Sequence, residues 1–173
     1  MQYGSAAIYW MGLTSSPYET GLVIENNQII DQAVIGMWID YMNAPIVRNN
    51  RIDMTNNTSA IQYGMQGNYL YNATLVLNND IRTNNYGGYF TFVNGTGTQR
   101  ALIADNFINA SNAAGGNVYG LYVNNGTYAD YVHNTVTTYS GASNFTSYTL
   151  YDAAGSYKNF INNIFRNNGM GVS

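Results

Sequence analysis

The chain has 173 residues, 46% of them hydrophobic and 14% aromatic but only 9% charged, with six Lys+Arg against nine Asp+Glu and no Cys. That length suits one domain, 1–173 or a stretch of a longer solenoid, with enough chain to bury a core; so little charge excludes a charged disordered tail, and scattered basic residues at a net charge of −3 argue against phosphate-driven nucleic-acid binding. Without Cys there is no disulfide framework, thiolate metal site or Cys nucleophile, no apolar run reaches the ~18 residues of a membrane span, and Met1 to Leu13 lacks the basic start of a signal peptide.

In chain order, short stretches of alternating apolar and polar residues are separated by Asn, Gly, Ser and Thr, and no stretch has helical periodicity. Ala6 to Gly12 (AAIYWMG) reads as a first strand, and from there two motifs take turns. One is Asn-x-apolar: Asn27/Ile29, Asn50/Ile52, Asn79/Ile81, Asn106/Ile108, Asn134/Val136 and Asn163/Phe165, at steps of 23, 29, 27, 28 and 29 residues. The other is a small residue before a bulky one: Gly36-Met37, Gly64-Met65, Thr91-Phe92, Gly120-Leu121 and Thr149-Leu150, at steps of 28, 27, 29 and 29. Several Asn are doubled, as in Asn26-Asn27 and Asn49-Asn50, which leaves that alignment open by one residue.

Repeats of this length without a helix predict a β-solenoid of about six coils. Propeller blades are longer, leucine-rich repeats need their Leu consensus, and a sandwich has no reason to repeat its sequence. The segments Ala101–Ile108, Ala129–Val136 and Phe160–Phe165 resemble the parallel β-helix repeat of pectate-lyase-like proteins. The resemblance, with the general rule for parallel crossovers, implies a right-handed parallel β-helix, and the setting expected is extracellular or at the cell surface. It leaves function open, because that fold carries lyases, hydrolases, tailspikes, adhesins and structural modules.

The sequence holds 27 Asn and 17 Tyr. In parallel coils a side chain recurs about 4.8 Å above itself, so Asn27, Asn50, Asn79, Asn106, Asn134 and Asn163 are expected to form a hydrogen-bonded ladder. Asn also tolerates the left-handed backbone of tight corners. Ile29, Ile52, Ile81, Ile108 and Val136 are expected to line one inner column. With Met37, Met65, Phe92, Leu121 and Leu150 taken as inward, alternation turns Ile35, Tyr63, Phe90, Tyr119 and Tyr148 inward too. It leaves Trp38, Gln66, Val93, Tyr122 and Tyr151 outside, beside a groove of the small residues Gly36, Gly64, Thr91, Gly120 and Thr149.

Two functional readings come from that outer stripe: contacts with a loop or neighbouring chain, or a glycan-stacking site at Trp38, Tyr122 and Tyr151. A crossed quartet, Arg51 beside Asp80 and Asp53 beside Arg82, reads as register-fixing ion pairs, with an acidic-polysaccharide site as its functional counterpart. His133, one coil from Asp105, reads as an inter-coil hydrogen bond, with a general base and its orienter as the alternative. No paired-carboxylate, Gly-His-Gly, Arg-x-Lys, phosphate-loop or Gly-x-Ser-x-Gly signature occurs. No capping helix is expected before Ala6 or after the last triplet before Ser173. The expectation is therefore a non-catalytic structural or adhesive protein without a cofactor that stacks end to end into filaments. A polysaccharide lyase or hydrolase and a glycan-binding module are the alternatives, with a polysaccharide as the further partner.

Overall fold

The computed structural model describes residues 5–56 and 61–169, so expectations resting on Met1 or Ser173 lie outside the described residues. Among these residues there is no helix, and every strand pairing is parallel. The strands form a three-sided solenoid of about six coils. Face one stacks Val23–Glu25, Ile46–Arg48, Leu75–Leu77, Ala101–Ala104, Gly126–Val132 and Gly155–Ile161. Face two stacks Gln28–Ile30, Arg51–Asp53, Asp80–Thr83, Phe107–Asn112, Thr135–Ser140 and Ile164–Asn167. Face three stacks Ala6–Met11, Ile35–Asn43, Tyr63–Tyr71, Tyr86–Asn94, Val118–Asn124 and Ser147–Asp152.

Each face sends apolar residues inward in register, and the long strands of face three add a second set, Met42, Leu70 and Val93. Face one contributes Ile24, Val47, Val76, Ile103, Tyr131 and Phe160 in register. Face two contributes Ile29, Ile52, Ile81, Ile108, Val136 and Phe165, as the Asn-x-apolar spacing predicts. The first five of these are buried. Face three contributes Ile8, Met37, Met65, Gly88, Leu121 and Leu150.

That last column corrects one expectation. Gly88, not Phe92, is the member in the Tyr86–Asn94 strand, and Gly87, not Thr91, is its small partner. The missing volume at Gly88 is filled from its own coil by Phe90, 1% exposed, whose register partner one coil down is Gly67. Phe92 instead sits at a corner with φ of 53°. It completes an outer stack with Tyr69 and Tyr41, at ring centroid distances of 4.6 and 4.7 Å.

Left-handed corners recur in register. The residue preceding each ladder Asn, namely Asn26, Asn49, Asn78, Asp105, His133 and Asn162, has φ between 51° and 59°. Asn, Asp and His are the side chains best tolerated there. The doubled Asn is thereby resolved: the first turns the corner and the second enters the ladder.

Within the ladder each Asn from Asn27 to Asn134 donates from Nδ2 to the Oδ1 of the Asn one coil up, at 2.9–3.0 Å. Its backbone N–H donates to the same oxygen at 2.8–3.1 Å. From Asn50 to Asn163 the other amide hydrogen goes to a carbonyl of face one, such as Asn106 to Val76 at 2.9 Å. The amides are buried from Asn50 to Asn134, so these bonds form out of reach of water.

Among the buried polar atoms without a partner, one belongs to a core tyrosine. The Tyr131 hydroxyl is fully buried, burial pushes its phenol far above the ordinary range, and it has no hydrogen-bond partner among the described residues. An orphaned buried hydroxyl costs about 1–3 kcal/mol. Tyr131→Phe, which keeps the stack on Phe160 (4.8 Å between centroids), is therefore expected to raise stability by about 1 kcal/mol in chemical denaturation. A loss of stability would show that the hydroxyl has a partner.

Candidate functional site: the tyrosine face

The outer side of face three is set by a local break in strand alternation. A Cβ added at Gly87 would lie 2.2 Å from Ile108 Cγ2, and one added at Gly88 would lie 2.9 Å from Phe90 and 3.6 Å from Ile108 Cδ1. Two successive positions thus face the core. In the coils below and above, Gly36, Gly64 and Gly120 aim at Ile52, Ile81 and Val136, while Met37, Met65 and Leu121, the residues after them, are buried in the core as well. The expected small-residue groove is therefore an inward column. It keeps the backbone of face three close to the face-two aliphatics, and Thr149 ends it, bonded to Thr138 at 3.3 Å.

With two residues turned inward, outer positions are three apart instead of two. Tyr63, Tyr119 and Tyr148, expected inside, join Tyr86 in one half-exposed column, at centroid distances of 4.7, 4.8 and 5.6 Å. Ile35, in register with Tyr63, is buried as expected, and so is Phe90, which enters the core cluster; the other three of the five residues expected inward are the part-exposed tyrosines. The second outer column runs Tyr9, Trp38, Gln66, Tyr89, Tyr122 and Tyr151. Tyr89 replaces the expected Val93, which is buried. Tyr89–Tyr122 and Tyr122–Tyr151 stack at 4.5 and 5.0 Å. The two columns meet edge to face, as in Tyr86–Tyr89 at 5.6 Å and Tyr119–Tyr122 at 5.7 Å. Both geometries are favoured by the ring quadrupole.

The three residues picked out for glycan stacking are thus placed differently. Tyr122 is sandwiched between Tyr89 and Tyr151, Tyr151 has Tyr122 beneath it, and Trp38 is separated from both by Gln66 and Tyr89. Stacked rings offer their edges and hydroxyls to solvent. Trp38 meets Tyr9 edge to face at 5.0 Å and borders a cleft of about 460 Å³ lined by Ser5, Ala6, Tyr9, Val34, Ile35 and Trp38.

Packing perturbs these phenols. Burial, reinforced by Tyr63, Tyr119, Tyr89 and Tyr122, pushes Tyr86 up to about 12, and burial also raises Tyr63, Tyr89, Tyr119 and Tyr122. A raised phenol pKa means the folded state holds its proton more tightly than the unfolded chain, whose tyrosines titrate near 10. The stability contribution is complete below about pH 10 and is lost as pH rises toward about 12. Ultraviolet titration of tyrosinate is expected to show these rings ionising late and together with unfolding. Independent titration near pH 10 with the fold intact would contradict this packing.

Most arginines elsewhere are paired with a carboxylate of the same or the adjacent coil. Register places Arg51 beside Asp80 and Asp53 beside Arg82, as expected. The ion pairs, however, close along each strand: Arg51–Asp53 at 3.3 Å and Arg82–Asp80 at 3.0 Å, because residues two apart share a side. Burial alone would raise Asp53, but hydrogen bonds from Thr55 and Arg51 hold it below its usual range. Arg100 grips Asp130 through two bonds of 2.8 and 2.7 Å, lowering the carboxyl. His133 Nδ1 lies 3.7 Å from Asp105 and its Nε2 lies 3.3 Å from Asn162 Nδ2, all three at the left-handed corner. Its residue type is explained by the corner backbone. No group of three or more His, Asp or Glu able to hold a metal occurs among the described residues.

Compared with protein-family models, curated proteins and solved structures, the chain gives no match. The fold and its surfaces carry the functional reading.

Proposed function

We propose that the chain is a non-catalytic structural and adhesive β-helix that stacks end to end into filaments, outside the cell or at its surface. The observation that carries this reading is the polarity of the Asn ladder. In every rung from Asn50 to Asn163 the Oδ1 accepts two donors from the coil below. Among the described residues, the Asn163 backbone N–H and one of its amide hydrogens have no acceptor and the Asn27 Oδ1 has no donor. The two ends of the ladder complement each other, which favours a head-to-tail contact that does not close.

The apolar columns support the same contact. Extending the register by one coil seats Ile24 of a second copy on Phe160, Ile29 on Phe165, Ile8 on Leu150 and Tyr9 on Tyr151. Phe165 is 39% exposed and its neighbour Ile164 62%, whereas Val136, one coil below Phe165, is fully buried. Exposed strand edges with apolar side chains are templates for further pairing, and a net charge of −3 along the rod opposes it little. The adhesive part rests on the outer tyrosine columns of face three, whose part-exposed rings stay on the flank of the stack when copies join end to end.

Phe165→Glu places a charge in the centre of the junction at a position already part-exposed in the single copy. Sedimentation velocity is expected to show a concentration-dependent series for the wild type and a single monomer boundary for the variant, with the variant still melting cooperatively. Equal association of the two would remove the junction.

A further inference from the structure

We propose that the two tyrosine columns of face three are a site of oxidative cross-linking, at which tyrosines of consecutive coils couple into dityrosine when a one-electron oxidant such as a peroxidase with hydrogen peroxide is supplied. The geometry is independent of filament formation, since each pair lies within one copy.

Coupling requires two phenoxyl radicals held close enough to join before either is quenched. The pairs Tyr63–Tyr86, Tyr86–Tyr119, Tyr89–Tyr122 and Tyr122–Tyr151 have centroid distances of 4.7, 4.8, 4.5 and 5.0 Å and interplanar angles of 11°, 2°, 12° and 18°. Rings repeated almost by translation bring like atoms to about the same spacing, so the carbons ortho to each hydroxyl face those of the next ring. All of these rings are partly exposed, which gives an oxidant access. The edge-to-face contacts between columns, 5.3 Å for Tyr63–Tyr89 and 5.7 Å for Tyr119–Tyr151, extend one continuous path of phenols over which a radical formed at any ring can reach a partner.

The step balances as follows. Each of two phenols gives up one electron and one proton, and hydrogen peroxide takes both pairs to become two waters. The radicals join by one carbon–carbon bond between ortho positions. The two ortho hydrogens then move to the oxygens, restoring both aromatic rings and both hydroxyls. The product is lighter by two hydrogens and ties one coil covalently to the next.

The test is peroxidase and hydrogen peroxide acting on the dilute folded chain, read by dityrosine fluorescence and by mass spectrometry of a digest. The expected result is intramolecular linkage at these four pairs. Tyr86→Phe with Tyr122→Phe keeps the ring stacks but removes one phenol from every pair, and is expected to lose all four linkages. Unfolding the wild type in guanidinium before oxidation is expected to lose them too. Linkages that are only intermolecular, that persist in the double variant or the unfolded chain, or that fail to form while Met and Trp are oxidised would each overturn the proposal.

Discussion

Asn106→Ala is expected to lower stability by about 3–5 kcal/mol, because it orphans several buried groups at once at about 1–3 kcal/mol each. The Asn79 backbone N–H and amide both lose their acceptor, and the Val76 carbonyl loses a donor. The Asn134 Oδ1 keeps only the backbone N–H of residue 106. Water cannot replace the missing partners, since Asn79, Asn106 and Asn134 are all 2% exposed or less. For a chain of this length such a loss corresponds to a fall in Tm of roughly 6–20 °C. Asn106→Asp is expected to fare no better: a carboxylate can accept from Asn79 but cannot donate to Val76 or Asn134. The comparison is Asn162→Gly, at an exposed left-handed corner where glycine is at ease, with an expected change of under about 1 kcal/mol. Thermal and denaturant melts of the three variants check the ladder, and equal effects at 106 and 162 would mean that the buried hydrogen bonds contribute nothing net.

The second large effect is expected at Gly87. A methyl group there would sit 2.2 Å from Ile108 Cγ2 and 2.5 Å from the Gly120 carbonyl oxygen. The aliphatic atom can yield by a rotamer change, but the carbonyl belongs to the coil above, held in register by Tyr86–Tyr119 and Gly88–Leu121. Gly87→Ala therefore has to separate two coils, and overpacking of this kind costs about 3 kcal/mol or more. Gly97→Ala is the control, where the added group meets only a Tyr128 ring atom at 4.0 Å. Denaturant midpoints should fall sharply for the first and hardly move for the second. A mild Gly87→Ala would contradict the inward assignment of the small-residue column.

These two sites mark how far the sequence could be read. The ladder was legible because one side chain, Asn, is both the cause of the structure and its periodic label, so the residue that repeats is the residue that bonds. The face-two aliphatics followed from the same spacing. Face three was harder for two physical reasons. At Gly87-Gly88 the core position has no side chain, its volume being supplied by Phe90, and the coil below is short while the one above is long. Even spacing therefore favoured Thr91-Phe92. Two successive core-facing residues also break the period of two on which inside and outside were assigned, which moved Tyr63, Tyr119 and Tyr148 to the surface and hid the tyrosine columns. The excess of Tyr was the available signal: residues three apart, Tyr86/Tyr89, Tyr119/Tyr122 and Tyr148/Tyr151, repeat in three coils. The corner preference of Asn likewise explains why His133 and Asp105 stand where they do without acid–base chemistry.

The central claim, that ladder and columns continue from one copy into the next, is tested most directly by electron microscopy of the purified chain. The account predicts unbranched rods many copies long, with the axial spacing of about 4.8 Å that parallel coils impose, shortened to single particles by Phe165→Glu. Dispersed single particles of the wild type at high concentration would contradict it.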